Sequence, residues 1–92
     1  MIKPRKTSRQ LERHLKGVAN HRRLDILFLV AEKDGLALQD IAELLHGNFK
    51  TIAEHARRLA QAGLINKRYK GRLVVHSLSP YGKIIHRFLK TF

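Results

Sequence analysis

The chain contains no cysteine, which removes disulfides, thiolate nucleophiles and thiolate metal ligands together and excludes redox sensing through sulfur. No apolar run approaches the roughly 20 residues needed to cross a bilayer, and the start, MIKPRKTSRQ, lacks the hydrophobic centre of a secretory signal. The expectation is a soluble, cytoplasmic protein. Internal repeats and low-complexity stretches are absent, and so is any constellation for catalysis. Asp25 and Glu32 lie two helical turns apart, Ser77 and Ser79 near His76 have no third partner, and there is no glycine-rich phosphate loop. The chain is therefore not expected to be an enzyme. Acidic residues are scarce as well: 7 Asp plus Glu stand against 19 Lys plus Arg, a formal net charge of +12.

Ninety-two residues give room for one compact core and not for two. At 43% hydrophobic, the composition is that of an ordinary globular domain, so the chain is expected to fold. Its charge is segregated. Residues 1–23 carry eight basic groups and one acidic, Glu12, net +7; residues 24–49 carry one and five, net −4; residues 50–92 carry ten and one, Glu54, net +9. A surface that needs only to be solvated has no reason to sort its charge. A nucleic-acid binder gains when cations line the face toward the phosphates and carboxylates stand behind.

The first six residues, MIKPRK, read as a basic flexible arm (1–6), and one ordered domain is expected over 7–92. Thr7 or Ser8 caps a first helix with Leu11, Leu15 and Val18 at helical spacing and Gly17 weakening its end. Asn20 caps a second, with Leu24, Leu27, Phe28 and Ala31 on one stripe flanked by Ile26 and Val30, and Asp34-Gly35 stops it. After an extended piece at Leu36–Leu38, a short third helix is predicted over Gln39–His46, burying Ile41, Leu44 and Leu45. Asn48 caps a fourth through about Ala62, with Ile52, Ala56 and Leu59 inward and Lys50, Glu54, Arg57, Arg58 and Gln61 outward. A hairpin follows over Leu64–Tyr69 and Arg72–Leu78 with its turn at Lys70-Gly71, and Ser79-Pro80 starts a fifth helix.

The predicted fold is thus mainly α with a small β-hairpin: a winged helix-turn-helix of about five helices and a two-stranded wing. Two helices at a steep angle present the second one outward, an α-helix fits the major groove of B-form DNA, and a basic hairpin tip reaches phosphates or the adjacent minor groove. The segment DIAELLHGNFKTIAEHARRLAQAGLI (Asp40–Ile65) resembles the helix-turn-helix of ArsR-type winged-helix repressors without a gap. The likeness rests on Ile41-Ala42-Glu43, Asn48, Thr51-Ile52, His55, Leu59 and the Ala62-Gly63-Leu64-Ile65 exit. VANHRRLDIL (Val18–Leu27) resembles the start of the family's second helix, and LSPYG (Leu78–Gly82) its return from the wing, a motif that related winged-helix regulators share.

The resemblance implies that Asn48, Phe49, Lys50, Thr51, Glu54 and His55 meet DNA, with Arg57 and Arg58 near phosphates. Ala53 stands where the family usually has a small polar residue. Glu54 stands where a basic or neutral polar one is usual, and a carboxylate there is repelled by phosphate unless it accepts from a cytosine amino group. The hairpin adds Lys67, Arg68, Lys70 and Arg72 as phosphate contacts. Members of the family often sense metals. No two of the six histidines have the i,i+3 or i,i+4 spacing of a ligand pair, and Tyr81–Phe92 offers His86 alone, so no metal or cofactor is expected. Leu11, Leu15, Val18, Ile85, Phe88, Leu89 and Phe92 are more apolar surface than so small a core covers, and the family dimerises through the helices that carry them. The expectation is a homodimeric, sequence-selective regulator binding double-stranded DNA, acting as a repressor. The alternative is a winged-helix module that binds structured RNA or ribosomal RNA.

Overall fold

Caps set where the helices begin. A computed structural model describes residues 5–92. In it Thr7 closes a capping box with Gln10 and starts α1 (Ser8–Val18), satisfying two of the backbone groups that a helix N-terminus leaves without partners. The Asn20 side chain accepts from the Arg22 and Arg23 amides and starts α2 (His21–Glu32). Asn48 does the same for Lys50 and Thr51 at the head of α4 (Phe49–Gln61). Ser79 with Pro80 opens α5 (Pro80–Leu89). Each cap of this kind is worth about 1 kcal/mol. Residues 1–4 of the expected arm lie outside the described residues; Lys6 sits with its Nζ 4.2 Å above the Tyr81 ring of α5.

Between the helices runs a three-stranded antiparallel sheet in the order β1 (Leu36–Ala37), β3 (Leu73–Leu78), β2 (Ile65–Lys70). The two-stranded wing expected from the sequence is the β2–β3 hairpin, and β1 adds a third strand beside it. Leu36 pairs with His76 and Ala37 with Val75, and the buried His76 ring donates from Nδ1 to the Leu36 carbonyl at 2.9 Å. The hairpin turn is one residue later than expected. Gly71, at φ +63°, takes the first central position, where a two-residue hairpin needs a left-handed backbone, so Lys70 pairs with Leu73 and Arg72 falls in the turn.

Ile26, Leu27 and Val30 of α2, Ile41 of α3 (Leu38–Leu44), Ile52 and Leu59 of α4, and Leu64 form the fully enclosed core. On α2 the buried positions are Leu27 with the flanking Ile26 and Val30, whereas Leu24, Phe28 and Ala31 are half-buried. The helix is central, packed against α1, α4, α5 and β3, so its covered surface is wider than one stripe. Two apolar assignments are reversed. Leu44 is 45% exposed while Ala42 is buried, because the third helix ends at Leu44 and turns its Ile41–Ala42 side to the core. Val18, expected at a surface between copies, is 6% exposed and belongs to the core of one chain.

The exit from α4 is the tightest crossing. A Cβ on Gly17 would stand 2.1 Å from the Ala62 Cβ, so Gly17 is there for the close approach of α1 to α4 rather than to weaken a helix end. A Cβ on Gly82 would stand 2.0 Å from the Leu64 carbonyl oxygen. Alanine gains roughly 0.5–1 kcal/mol over glycine inside a helix. Overpacking against backbone costs more, at the upper end of about 1–3 kcal/mol. Gly82→Ala is therefore expected to lower the unfolding free energy by about 1–2 kcal/mol, read as an earlier urea midpoint at unchanged m-value; an unmoved midpoint would show that α5 can slide off the Leu64 backbone freely.

Candidate nucleic-acid interface

Helix α4 is two-faced. Ile52, Ala56 and Leu59 are buried, while Phe49, Lys50, Thr51, Arg57, Arg58 and Gln61 are exposed. Burial of Ile52 and Leu59 is worth roughly 1.5–3 kcal/mol each, whereas exposed ion pairs contribute about 0–1 kcal/mol. The helix is therefore held from within, and its outer face can exchange partners at little cost to the fold. Between α3 and α4, His46 takes a positive φ of 53°, and the Arg22 guanidinium donates to the Leu45 carbonyl at 3.2 Å, bracing the turn from α2.

The outer face is organised by Glu54. Its carboxylate accepts from Arg57 through Nε at 3.0 Å and a second guanidinium nitrogen, and from Arg58 Nε at 3.1 Å. The Arg57 hydrogen bond is the main reason the carboxyl is held below its usual range, and Arg57 is raised in return. The one carboxylate of this helix face thus serves as a local acceptor on which two arginines converge, which explains its presence among cations. Asn48 is spent on the cap through its side-chain oxygen. Phe49, at the first position of the helix, is 53% exposed and so is only partly covered by the chain itself.

His55 differs from its neighbours. It is half-buried, and its Nδ1 accepts from Arg23 Nη1 at 3.3 Å across α2 and α4. Burial first, then the charges of Arg23, Arg22 and Arg58, hold its pKa below the ordinary 6.5, against a smaller opposing pull from Glu54. Neutral His55 is what lets an arginine stand beside it.

The wing carries its cations on both faces. Side chains alternate along a strand, so Lys67 and Tyr69 of β2 point one way and Arg68 and Lys70 the other. Arg68 borders a cleft beside Asp34, Lys83 and Arg87, whereas Lys70 and Arg72 flank the tip. The four basic residues expected to act together are thereby separated into a tip pair and two opposed strand residues.

Of the surface expected between copies, Leu11, Leu15, Phe88 and Phe92 are exposed, the last at 92%, while Ile85 and Leu89 are half-buried against the core. Sequence reasoning missed Tyr81 and Ile84, which stand 45% and 52% exposed beside Leu11 and Leu15 along an apolar groove of about 240 Å³. It also missed His14, buried on the helix that carries those leucines. Its Nδ1 donates to the Ala62 carbonyl at 2.6 Å, its ring lies 5.0 Å from that of Tyr81, and its Nε2 is enclosed without a partner among the described residues. An i,i+4 link from Leu11 or Val18 to position 14 or 15 was the available signal, and it reads equally well with leucine inward.

A family model described as HVO_A0114 matches residues 18–85. Among solved structures, the chain is similar to the homodimeric winged helix-turn-helix DNA-binding domain (fragment 1–100) of Mb0332 from Mycobacterium bovis, a possible ArsR-family transcriptional regulator. Identity is 25%, the TM-score 0.81, and the match covers 94% of this chain and 85% of that one. It is similar to HlyU from Vibrio cholerae at 27% identity and TM-score 0.76, covering 92% and 97% of the two chains. The transcriptional regulator HlyU from Vibrio vulnificus matches at 25% and 0.76, over 91% and 88%. The likeness to ArsR-type winged-helix regulators read from the sequence therefore holds in three dimensions. Among the described residues no helix is long and apolar enough to cross a membrane.

The depressed His55 value carries a pH dependence with a definite sign. Because the folded value lies below 6.5, the stability His55 contributes is complete above pH 6.5 and is lost as the pH falls through that lower value. Between about pH 7.5 and about pH 5 the melting temperature of the wild type should fall more than that of His55→Asn, which keeps an acceptor near the Nδ1 position without the titrating ring. Parallel curves would show that Arg23 does not depend on a neutral partner.

Proposed function

The chain belongs to the HVO_A0114 family, and from that membership and the geometry above we propose that it is a sequence-selective regulator of transcription that binds double-stranded DNA as a homodimer and represses by occupying its site. One observation carries the reading: α4 is anchored by a buried inner face and leaves a polar, arginine-rich outer face uncovered. A capped, outward rod of this kind fits the major groove, with Phe49, Lys50 and Thr51 in its first turn toward base edges and Arg57 and Arg58 toward phosphates. Glu54 enters as the residue that aims these two arginines. His55, already engaged by Arg23, offers only its Nε2.

Support for the partner comes from Mb0332, a homodimeric DNA-binding domain of the same fold. The exposed apolar face of α1 and α5 is where a second copy would bury Leu11, Leu15 and Phe88. Twofold pairing there would set two α4 rods about one DNA turn apart on a roughly palindromic site.

Replacing Lys70 and Arg72 together by alanine should weaken binding to every duplex alike and flatten the salt dependence by about two ion equivalents. Thr51→Ala should instead redistribute preference among sequences, by about 1–3 kcal/mol at the base pairs it faces. Anisotropy titrations on selected and random duplexes separate the two, and equal effects from all these changes would overturn the division of roles. Structured RNA that outcompetes duplex DNA at every salt concentration would replace DNA as the partner.

For the dimer, sedimentation of Leu15→Glu with Phe88→Glu should give a folded monomer where the wild type gives a dimer. The variant's affinity for a palindrome should drop to that for a half-site. A wild type that sediments as a monomer at tens of micromolar, free or on DNA, sinks the twofold arrangement.

A further inference from the structure

Beside the C-terminal half of α4 the surface is concave. The close approach that Gly17 permits leaves, between α1, the first turn of α2 and α4, a cleft of about 260 Å³ lined by Arg13, Lys16, Arg23, Arg58 and Gln61, with Gly17 and Ala62 at its floor. Four of these side chains are cationic and none of the lining is acidic. Lys16 has an exposed partner in Glu12 at 3.7 Å, and Arg58 shares Glu54; Arg13 and Arg23 form no ion pair among the described residues. Arg23 is nonetheless held in place. Its Nη1 reaches His55 Nδ1 at 3.3 Å, its Nη2 lies 3.4 Å from the Lys16 carbonyl, and its Nε is enclosed without a partner among the described residues. Guanidinium groups gathered around a small hollow, one of them oriented by neutral acceptors, form a receptor for a compact anion with several oxygens.

We propose that this cleft holds a backbone phosphate of the bound duplex, just outside the stretch that α4 reads. The inference rests on the DNA-binding reading above. Thirteen residues make α4 a rod of about 20 Å, longer than the roughly 12 Å width of the major groove. With its N-terminal turns among the bases, the end bearing Arg58 and Gln61 overhangs a sugar-phosphate strand. The cleft opens at that end and is continuous with the outer face through Arg58 and through the Arg23–His55 contact. A phosphate there would let the basic 1–23 segment share the footprint of α4 and the wing, in keeping with its net charge of +7.

The test uses the full chain, a selected duplex, and the same duplex trimmed in two-base-pair steps from the flank beyond α4. Arg13→Gln and Arg23→Gln are compared with Lys33→Gln, which removes the same charge from the far end of α2, about 15 Å away. Each cleft variant is expected to bind the full duplex several-fold more weakly than Lys33→Gln. The double variant should lower the salt slope by about one ion equivalent. Trimming should weaken the wild type to the level of the double variant and leave the double variant unmoved. Arg13 is exposed and forms no side-chain hydrogen bond or ion pair among the described residues, so its substitution keeps the test valid should Arg23→Gln lower the melting temperature.

The proposal falls if Arg13→Gln binds like Lys33→Gln, or if the cleft variants lose the same factor on full and trimmed duplexes. It also falls if trimming has no effect while millimolar inorganic phosphate raises the melting temperature of the wild type and not of the double variant, which would assign the cleft to a free anion. Failure of the wild type to bind any duplex would instead overturn the DNA-binding reading itself, and this proposal with it.

Discussion

The geometry of this domain hangs on three consecutive residues, Ala62, Gly63 and Leu64, where the chain leaves α4 for the sheet. The Ala62 carbonyl accepts from His14 of α1, the Gly63 carbonyl accepts from the Ser79 hydroxyl at 2.6 Å, and the Leu64 carbonyl accepts from the Ser79 amide at 3.1 Å. The same hydroxyl accepts from the Gly82 amide at 2.9 Å and so also caps α5. Carbonyls at a helix end have no intrahelical donors and would be costly to bury unpaired. Here their donors come from the two terminal helices, so the residues that finish α4 also fix α1 and α5. The glycines at 17 and 82 are the steric half of the same arrangement, since any side chain there would prise the elements apart.

This junction sorts the charge. With α1 drawn onto the C-terminal half of α4, Arg13, Lys16 and Arg23 come up beside Arg58 of α4. The acidic segment 24–49 runs from α2 to the head of α4, and none of its carboxylates lines that α1/α4 cleft or pairs with its cations among the described residues. The carboxylate that α4 itself contributes, Glu54, is already bonded to two arginines. Because exposed pairs of this kind contribute little to stability, their arginines can be handed to phosphates without loosening α4, whose hold on the body is the apolar contact of Ile52 and Leu59. The proposed reading surface and the supporting surface are energetically separate.

How much of this could be read from the residues depended on whether the signal was local. The caps at Thr7, Asn20, Asn48 and Ser79 and the inward face of α4 were legible because each follows from neighbours three or four positions away. The sheet was only partly so: β1 is two residues long and owes its existence to pairing with β3 and to the His76 ring, forty positions distant from Leu36. Val18 could not be placed, since a valine at a helix end suits a core as well as an interface, and only the approach of α1 to α4 decides. The wing cations were grouped by their nearness to the turn, although alternation along the strand predicted over Leu64–Tyr69 already sends Lys67 and Arg68 to opposite faces. His14 and Arg23 were invisible for a related reason: their partners, Ala62 and His55, lie on another helix. Among the proposed contact residues, those in the first turns of α4 followed from the motif. The Arg13–Arg23 cleft needed two helices brought together by a missing Cβ.

The same junction decides how the proposed dimer surface and the proposed reading helix would communicate. Leu11 and Leu15 flank His14 on α1, and Tyr81 and Ile84 lie on α5 next to Gly82, so the exposed apolar groove is built from the residues adjoining those that grip the end of α4. No flexible linker intervenes. Packing at native density transmits displacement rather than absorbing it, and a hydrogen bond of 2.6 Å to the Ala62 carbonyl has little slack. A second copy settled on the groove would therefore set the direction of α4 as well as its distance from its twin. Spacing on a twofold site would be fixed by side-chain packing between copies, and an agent that reshaped the α1/α5 face would reach the reading helix through His14, Ser79 and the backbone they hold.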